Sequence, residues 1–143
     1  MEKSKINKNI LSLGTLIAFR RANNRLSKKE AIAIKEGGLT LGQFGVLEIL
    51  YSKGDLTICD IINGILTTSG NVTVVIKNLK RDGYVTQIPN PNDKRSSFIS
   101  ITDKGIELLN RILPDHFKNI DDSLSKLSKE EKKELIRLLK KIQ

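Results

Sequence analysis

Residues 69–81 carry side chains of the types that read base pairs in a DNA major groove. Asn71 has the amide that pairs with adenine through two hydrogen bonds. Thr73 and Val74 can pack on the methyl group of thymine, and Lys77 can reach guanine or a phosphate. Taken alone, the segment fits an ordinary solvated helix face equally well. The residues predicted to contact DNA in this segment are Thr68, Ser69, Gly70, Asn71, Thr73, Val74, Lys77 and Arg81.

A second charged group follows a loop that is rich in turn formers. Lys94 and Arg95 come directly after residues 89–93, PNPND, whose two prolines stiffen the turn. The planar, permanently charged guanidinium of Arg95 suits a narrow and electronegative minor groove. Asp93 has the wrong charge for DNA, so we expect it to orient Arg95 or to cap the turn. Lys94 and Arg95 are predicted to contact DNA, with Asp93 as their support.

The first group must be positioned by a helix that buries its opposite face. Apolar residues recur there at helical spacing, and the buried stripe consists of Val72, Val75, Ile76 and Leu79. We predict that this helix begins at a cap provided by Thr68 or Ser69. Gly83 suits a left-handed exit at its other end. A helix held in this way presents its polar edge outward.

The neighbouring segments predict a helix-turn-helix followed by a β-hairpin. Residues 58–64, with Thr57 as their cap, read as a short helix joined to the next one by a tight turn. Two β-branched and aromatic runs, residues 84–88 and 98–101, flank the proline-containing loop and read as strands. This order is that of a winged helix, in which the basic hairpin is the wing.

Capping signals mark other helices. Thr40-x-x-Gln43 and Ser128-x-x-Glu131 are capping boxes, each placed before an apolar periodic run. The segment that contains Pro114 keeps its helical character on both sides, so we expect a kink there rather than an end. These signals predict a mainly helical chain around the winged helix.

The terminal helices are apolar over a broad face. Residues 6–33 lack proline and read as one long helix with apolar residues on several sides. Because a chain of this size has little else to cover such faces, we expect a second copy of the chain to do so. The predicted dimerisation residues are Ile10, Leu13, Ile17, Leu135, Leu139 and Ile142.

The composition limits the classes of partner. The chain has 143 residues, which suggests one domain with helical extensions, and a formal net charge of +9, which favours nucleic acid or a membrane surface. No apolar run approaches the roughly 20 residues of a membrane span. Residues 1–19 suit a soluble helix better than a signal peptide. The single cysteine, Cys59, fits the reducing cytoplasm, where we expect the protein to act.

No group of residues has the spacing of a catalytic or metal site. With His116 as the single histidine and no Gly-rich phosphate loop, we expect neither an enzyme nor a cofactor. His116 and the nearby carboxylates Asp115, Asp121 and Asp122 are too loose a group for a metal, and we expect a solvated helix face. Cys59 is expected to be a small, half-buried packing residue, and a redox role stays open.

Residues 39–105 resemble the MarR family, which is named for multiple antibiotic resistance. The Asp-x-Arg of the wing, followed by the Ile-Thr-x-x-Gly that begins the next helix, is the most specific part of the resemblance. The terminal helices are similar in placement and amphipathicity rather than in motif. The matching segments are Leu39-Thr40-x-x-Gln43-Phe44-x-Val46-Leu47, Ser69-Gly70-Asn71-Val72-Thr73, Leu79-Lys80-Arg81-Asp82-Gly83-Tyr84-Val85, Asn92-Asp93-Lys94-Arg95 and Ile101-Thr102-x-x-Gly105.

The resemblance implies a mainly α fold with a small β-hairpin wing. Residues 1–143 would form a single domain, with the winged helix-turn-helix at 39–102 and dimerisation helices at 1–36 and 103–143. It also implies a homodimeric regulator, most often a repressor, that binds a palindromic operator in double-stranded DNA. Recognition helices about 34 Å apart would match one turn of B-DNA. Many members release DNA when a small aromatic acid binds, so a small-molecule effector is expected.

An alternative interpretation is a winged helix that contacts proteins and binds no specific DNA sequence. The basic wing and helix face argue against it, because a module for protein contact does not need them. The sequence also leaves open whether basic residues of the first helix, Arg20, Arg21 and Arg25, reach flanking phosphates or face solvent at the base of the dimer.

Overall fold

A computed structural model of the chain describes residues 2–65 and 71–143, with side chains from residue 9 onward. These residues form a mainly helical fold with one small sheet, which confirms the predicted fold class. The elements in chain order are α1 (Glu2–Glu36), α2 (Leu41–Lys53), β1 (Leu56–Thr57), α3 (Ile58–Gly64), α4 (Val72–Arg81), β2 (Val85–Pro89), β3 (Ser97–Ile101), α5 (Asp103–Ser123) and α6 (Lys129–Lys140).

The chain divides into two compact units. One unit comprises residues 31–116 and contains the winged helix; the other comprises residues 1–30 and 117–143. Helices α1 and α5 contribute to both. The predicted dimerisation segments, 1–36 and 103–143, extend beyond this second unit at both divisions, and their role stays a prediction.

The core of residues 31–116 surrounds α2. This helix packs against α3, α4 and β3, and it buries residues on most of its circumference. Burial of this apolar surface stabilises the unit, at roughly 25 cal/mol per Å² removed from water. The largest fully buried side chains are Ile34, Leu47, Leu50, Ile61, Leu79, Ile99, Leu109 and Val46.

Local side-chain signals set the starts of α2 and α3 as predicted. At the start of α2, Thr40 Oγ1 accepts a hydrogen bond from Gln43 N–H at 3.1 Å, and the Gln43 side chain accepts one from Thr40 N–H at 3.0 Å. Thr57 and Asp60 form the same capping box at α3. Helix α5 continues through Pro114, so the prediction that this proline does not end the helix is confirmed.

The sheet has three antiparallel strands in the order β1-β3-β2. The predicted hairpin is β2 and β3, with Gln87 opposite Ile99 and Val85 opposite Ile101. The sequence did not predict β1, which pairs Leu56 with Ile99. Two residues are too few for an alternating pattern, so only the partner strand reveals this one.

Two further expectations are wrong. His116 is buried at 4% exposure, where its ring packs on Phe44 with centroids 4.8 Å apart, so it does not lie on a solvated face. Pairing with an aromatic side chain from α2 overrides the polar appearance of its neighbours along α5. Cys59 is exposed rather than half-buried, because Ile61 alone is fully buried among the residues of α3.

The second unit exposes many large apolar side chains. On α1, Ile10 and Leu13 are each 55% exposed and Ile17 is 40% exposed. On α6, Leu135 is 39% exposed and Ile142, just beyond the helix end, is 75% exposed. Large exposed apolar side chains in such number usually mark a surface that contacts another molecule.

Candidate nucleic-acid interface

Helix α4 separates its residues into an anchoring face and an outward face. Ile76 and Leu79 are buried, at 4% and 0% exposure, and they are joined in the core contacts by half-buried Val72 and Val75. The stripe predicted from the sequence is therefore the buried one. The predicted reading residues Thr73, Val74 and Lys77 are all exposed.

The N-terminus of α4 differs from the prediction. The helix begins at Val72, and Asn71 is its N-cap, with Oδ1 accepting a hydrogen bond from Thr73 N–H at 3.0 Å. Asn is among the best N-cap residues because its short side chain reaches the unpaired N–H groups of the first turn. Pairing with adenine would require Asn71 to give up this bond. The other residues predicted here, Thr68, Ser69 and Gly70, lie outside the described residues.

Arg81, the last residue of α4, forms an ion pair with the neighbouring Asp82. Arg81 Nε donates to Asp82 Oδ1 at 3.1 Å, and both side chains are well exposed. The hydrogen bond to Asp82 and the attraction of its negative charge raise the pKa of Arg81 above its usual value. Arg81 was also predicted to contact DNA. A DNA phosphate would have to compete with Asp82 for its guanidinium.

The start of α5 holds the chain that leaves α4. Gly83 adopts a left-handed φ of +81°, as predicted, and its carbonyl accepts a hydrogen bond from Thr102 Oγ1 at 2.7 Å. Lys104 Nζ donates to the Asp82 carbonyl at 2.7 Å and lies 4.8 Å from the centre of the Tyr84 ring. These contacts give a physical basis for the Ile-Thr-x-x-Gly segment that follows the wing.

The glycine of that segment is required by close packing. A Cβ added to Gly105 would lie 2.4 Å from the Tyr84 carbonyl oxygen and 2.8 Å from Ile101 Cγ1. Separations this short do not occur between real Cβ atoms and backbone, so only glycine lets α5 approach the strand entry here.

The wing loop is fixed by hydrogen bonds within itself. Asp93 Oδ1 accepts from Arg95 N–H at 2.9 Å, which is the turn-capping geometry, one of the two roles predicted for Asp93. Asn90 Nδ2 donates to Ser96 Oγ at 2.9 Å across the base of the loop. Lys94 and Arg95 are both exposed on this loop.

The sequence did not predict one set of side-chain hydrogen bonds on this surface. Lys80 Nζ donates to Gln87 Oε1 at 3.1 Å, and Gln87 Nε2 donates to Ser97 Oγ. A signal existed: Gln87 lies two residues after buried Val85, hence on the same face of its strand, where a polar residue is unexpected. The bonds join α4 to both strands of the wing.

We also compared the described residues with the other kinds of site considered above, namely phosphate contacts on α1, metal sites and membrane spans. Arg20, Arg21 and Arg25 are exposed on α1, within residues 1–30. Among the described residues, no group of three or more His, Cys, Asp or Glu side chains is placed to hold a metal ion. Within the same residues, no helix is both long enough and apolar enough to cross a lipid bilayer.

Comparison with known proteins identifies the relatives of this chain. The MarR family model matches residues 39–97. The transcriptional regulator MhqR of Bacillus subtilis (strain 168), of the HTH type, is 39% identical over 125 residues, which cover 87% of this chain and 83% of MhqR.

Solved structures share the fold over nearly the whole chain. A MarR-like transcription regulator from Bacillus cereus ATCC 10987 aligns with a TM-score of 0.82 and 28% identity, over 92% of this chain and 95% of that one. BpsR of Bordetella bronchiseptica, whose DNA binding is regulated by 6-hydroxynicotinic acid, aligns with a TM-score of 0.78 and 26% identity, over 90% and 91%. The chain therefore belongs to the MarR family of DNA-binding transcriptional regulators, a family of regulators and not of enzymes.

Proposed function

We propose that this regulator is a cytoplasmic homodimeric repressor that binds a palindromic operator. The single observation that carries the proposal is the division of α4, in which Ile76 and Leu79 anchor the helix while Thr73, Val74 and Lys77 remain exposed. The three exposed residues combine contact with a thymine methyl and contact with guanine or phosphate, as base reading in a major groove requires.

The wing supplies the second contact of the proposal. Lys94 and Arg95 are exposed on a loop whose turn is fixed by Asp93. A fixed turn lowers the conformational entropy lost when the loop enters a groove. Arg95 would then insert into the minor groove beside the major groove that α4 occupies.

The exposed apolar surface of the terminal helices supports the homodimer. Leu13 at 55% exposure and Ile142 at 75% would both lose water contact in a dimer. The proposed interface comprises residues 1–36 and 103–143, and its central residues are Ile10, Leu13, Ile17, Leu135, Leu139 and Ile142. Two winged helices joined in this way would meet two half-sites about one helical turn apart.

A small molecule is the proposed signal, as 6-hydroxynicotinic acid is for BpsR. Within residues 31–116, a cleft of about 360 Å³ is lined by Leu108, Ile112 and Arg111 among others, a size that fits a small aromatic molecule. Glu36 and Asp115 also line it, so the cleft offers both signs of charge and does not by itself select an acid. A thermal-shift screen with aromatic acids, aromatic amines and neutral phenols would find the class.

Selection from random duplex DNA tests the proposal directly. We expect enrichment of a short palindrome whose half-sites are about one helical turn apart. Binding should weaken steeply as salt rises, because each neutralised phosphate releases counterions. Absence of enrichment even at low salt would contradict operator binding and favour the alternative of a winged helix that contacts protein.

A further inference from the structure

A hydrogen-bonded chain of three side chains spans the space between α4 and the wing. It consists of Lys80, Gln87 and Ser97, with Lys80 Nζ 3.1 Å from Gln87 Oε1 and Gln87 Nε2 donating to Ser97 Oγ. We call it the Lys80–Gln87–Ser97 chain. Lys80 and Gln87 are exposed, and Ser97 is half-buried.

The sheet register explains why these residues meet. Gln87 is paired with Ile99, and Ser97 lies two residues before Ile99, so both polar side chains share the face that buries Val85 and Ile99. That face packs on the core at one end of the hairpin. At the other end, towards the wing loop, it carries the polar chain and faces α4.

Lys80 also belongs to the exposed face of α4, the proposed recognition helix. Thr73, Lys77 and Lys80 follow one another at spacings of four and three, so they form one stripe along α4. Its last member brings a positive charge to the junction between helix and wing. An ammonium group has three donors, and the bond to Gln87 uses one of them.

DNA geometry indicates what this junction would meet. Neighbouring major and minor grooves are separated by a single sugar-phosphate strand, so a protein that enters both must straddle that strand. We propose that the Lys80–Gln87–Ser97 chain is a binding site for a phosphate of that strand. Lys80 supplies the charge, and Gln87, held by Ser97, positions it. This inference rests on the proposed function, in which α4 and the wing occupy adjacent grooves.

Replacement of Lys80 tests the charge. Lys80→Ala should weaken binding to operator and to unrelated duplex by the same factor, since a phosphate contact carries no sequence information. With two sites per dimer, the slope of log affinity against log salt should fall in magnitude by about 1.8, which corresponds to roughly 30-fold at ~0.15 M salt. Lys80→Arg keeps the charge and should keep the slope. Lys53→Ala removes the same charge at the exposed end of α2, which belongs neither to α4, nor to the wing, nor to the proposed dimer interface, and it should change the slope far less.

Replacement of Gln87 separates charge from position. Gln87→Glu places a carboxylate against Lys80, so it should weaken binding at least as much as Lys80→Ala and reduce the slope. Gln87→Ala leaves the charge in place, so it should weaken binding by a smaller factor and leave the slope unchanged. Thermal unfolding of each variant identifies any that is not folded, and Lys80→Arg then serves as the folded reference.

The outcomes distinguish this inference from the proposed function. If the parent protein binds its operator with a steep salt dependence while Lys80→Ala keeps the parent slope, the phosphate site is wrong and the proposed function stands. An altered base preference in Lys80→Ala would also overturn the site, because Lys80 would then read bases. A parent protein that binds no DNA at low salt would overturn the proposed function itself.

Discussion

Arg95 is the wing residue that we propose inserts into the minor groove. Its backbone N–H is held by Asp93 Oδ1 at 2.9 Å, while its side chain is exposed. The hydrogen bond fixes the backbone of Arg95 and leaves its guanidinium free to contact a ligand. The loop therefore positions the Arg95 side chain, and a single substitution of Arg95 should test the proposed DNA contact.

We expect Arg95→Ala to weaken operator binding by roughly 1–3 kcal/mol, because a desolvated groove contact is lost. Binding isotherms at matched salt would measure the change. Arg95→Lys keeps the charge but loses the planar fork, so its affinity should fall between those of the parent and the alanine variant. Equal affinity of Arg95→Ala and the parent would remove Arg95 from the interface.

Gly105 illustrates a residue whose role is steric. The added Cβ of Gly105→Ala would meet the Tyr84 carbonyl oxygen at 2.4 Å, so we expect a loss of about 1–3 kcal/mol in the free energy of unfolding. Chemical denaturation followed by circular dichroism would measure it. Glu48→Ala on α2 is the control, since Glu48 is exposed and its replacement leaves the core unchanged. That variant should change the free energy of unfolding by no more than about 0.5 kcal/mol. A Gly105→Ala variant as stable as the parent would show that the approach of α5 can relax.

At the scale of elements, α4 is held at both of its ends by different means. Asn71 caps its first turn, and Lys104 and Thr102 bond the carbonyls of Asp82 and Gly83 just past its last turn. The buried pair between them, Ile76 and Leu79, fixes the rotation of the helix about its axis. The direction of the reading face is therefore set by α5 and the core as well as by α4 itself.

Substitution of Asn71 should separate helix stability from DNA binding. Asn71→Ala removes the cap and should cost about 1 kcal/mol in the free energy of unfolding. Asn71→Asp keeps a good cap and favours the positive end of the helix dipole, so stability should be retained. The added negative charge at the DNA-facing end should nevertheless weaken operator binding. Denaturation and binding isotherms on both variants check this, and unimpaired binding by Asn71→Asp would place Asn71 away from DNA.

The whole molecule is proposed to act as a dimer joined by its terminal helices. We expect Ile17→Glu to dissociate the dimer and abolish tight operator binding, because a buried unpaired carboxylate costs several kcal/mol. Analytical ultracentrifugation would give the oligomeric state. Ile62→Glu on α3 is the matched control, as Ile62 is 49% exposed and Ile17 is 40% exposed. A dimeric Ile17→Glu variant would contradict the assignment of this face.

Much of the architecture could be predicted from the sequence because its signals act over a single turn or strand. The capping box of Thr40 and Gln43 formed as expected, and the stripe that includes Ile76 and Leu79 is the buried one. The wing strands also lie where the alternating runs predicted them. In each case the signal itself lies within a few residues of the chain, so sequence spacing is enough to reveal it.

Tertiary structure decided the features whose partners are distant in the chain. Strand β1 exists because β3 offers it a ladder, and His116 is buried because α2 brings Phe44 to it. Lys80 and Gln87 meet because the hairpin folds back beside α4. Sequence patterns predicted which residue types would contact DNA. Which of those residues are already bonded within the protein depends on distances across the fold, and spacing along the chain does not set these distances.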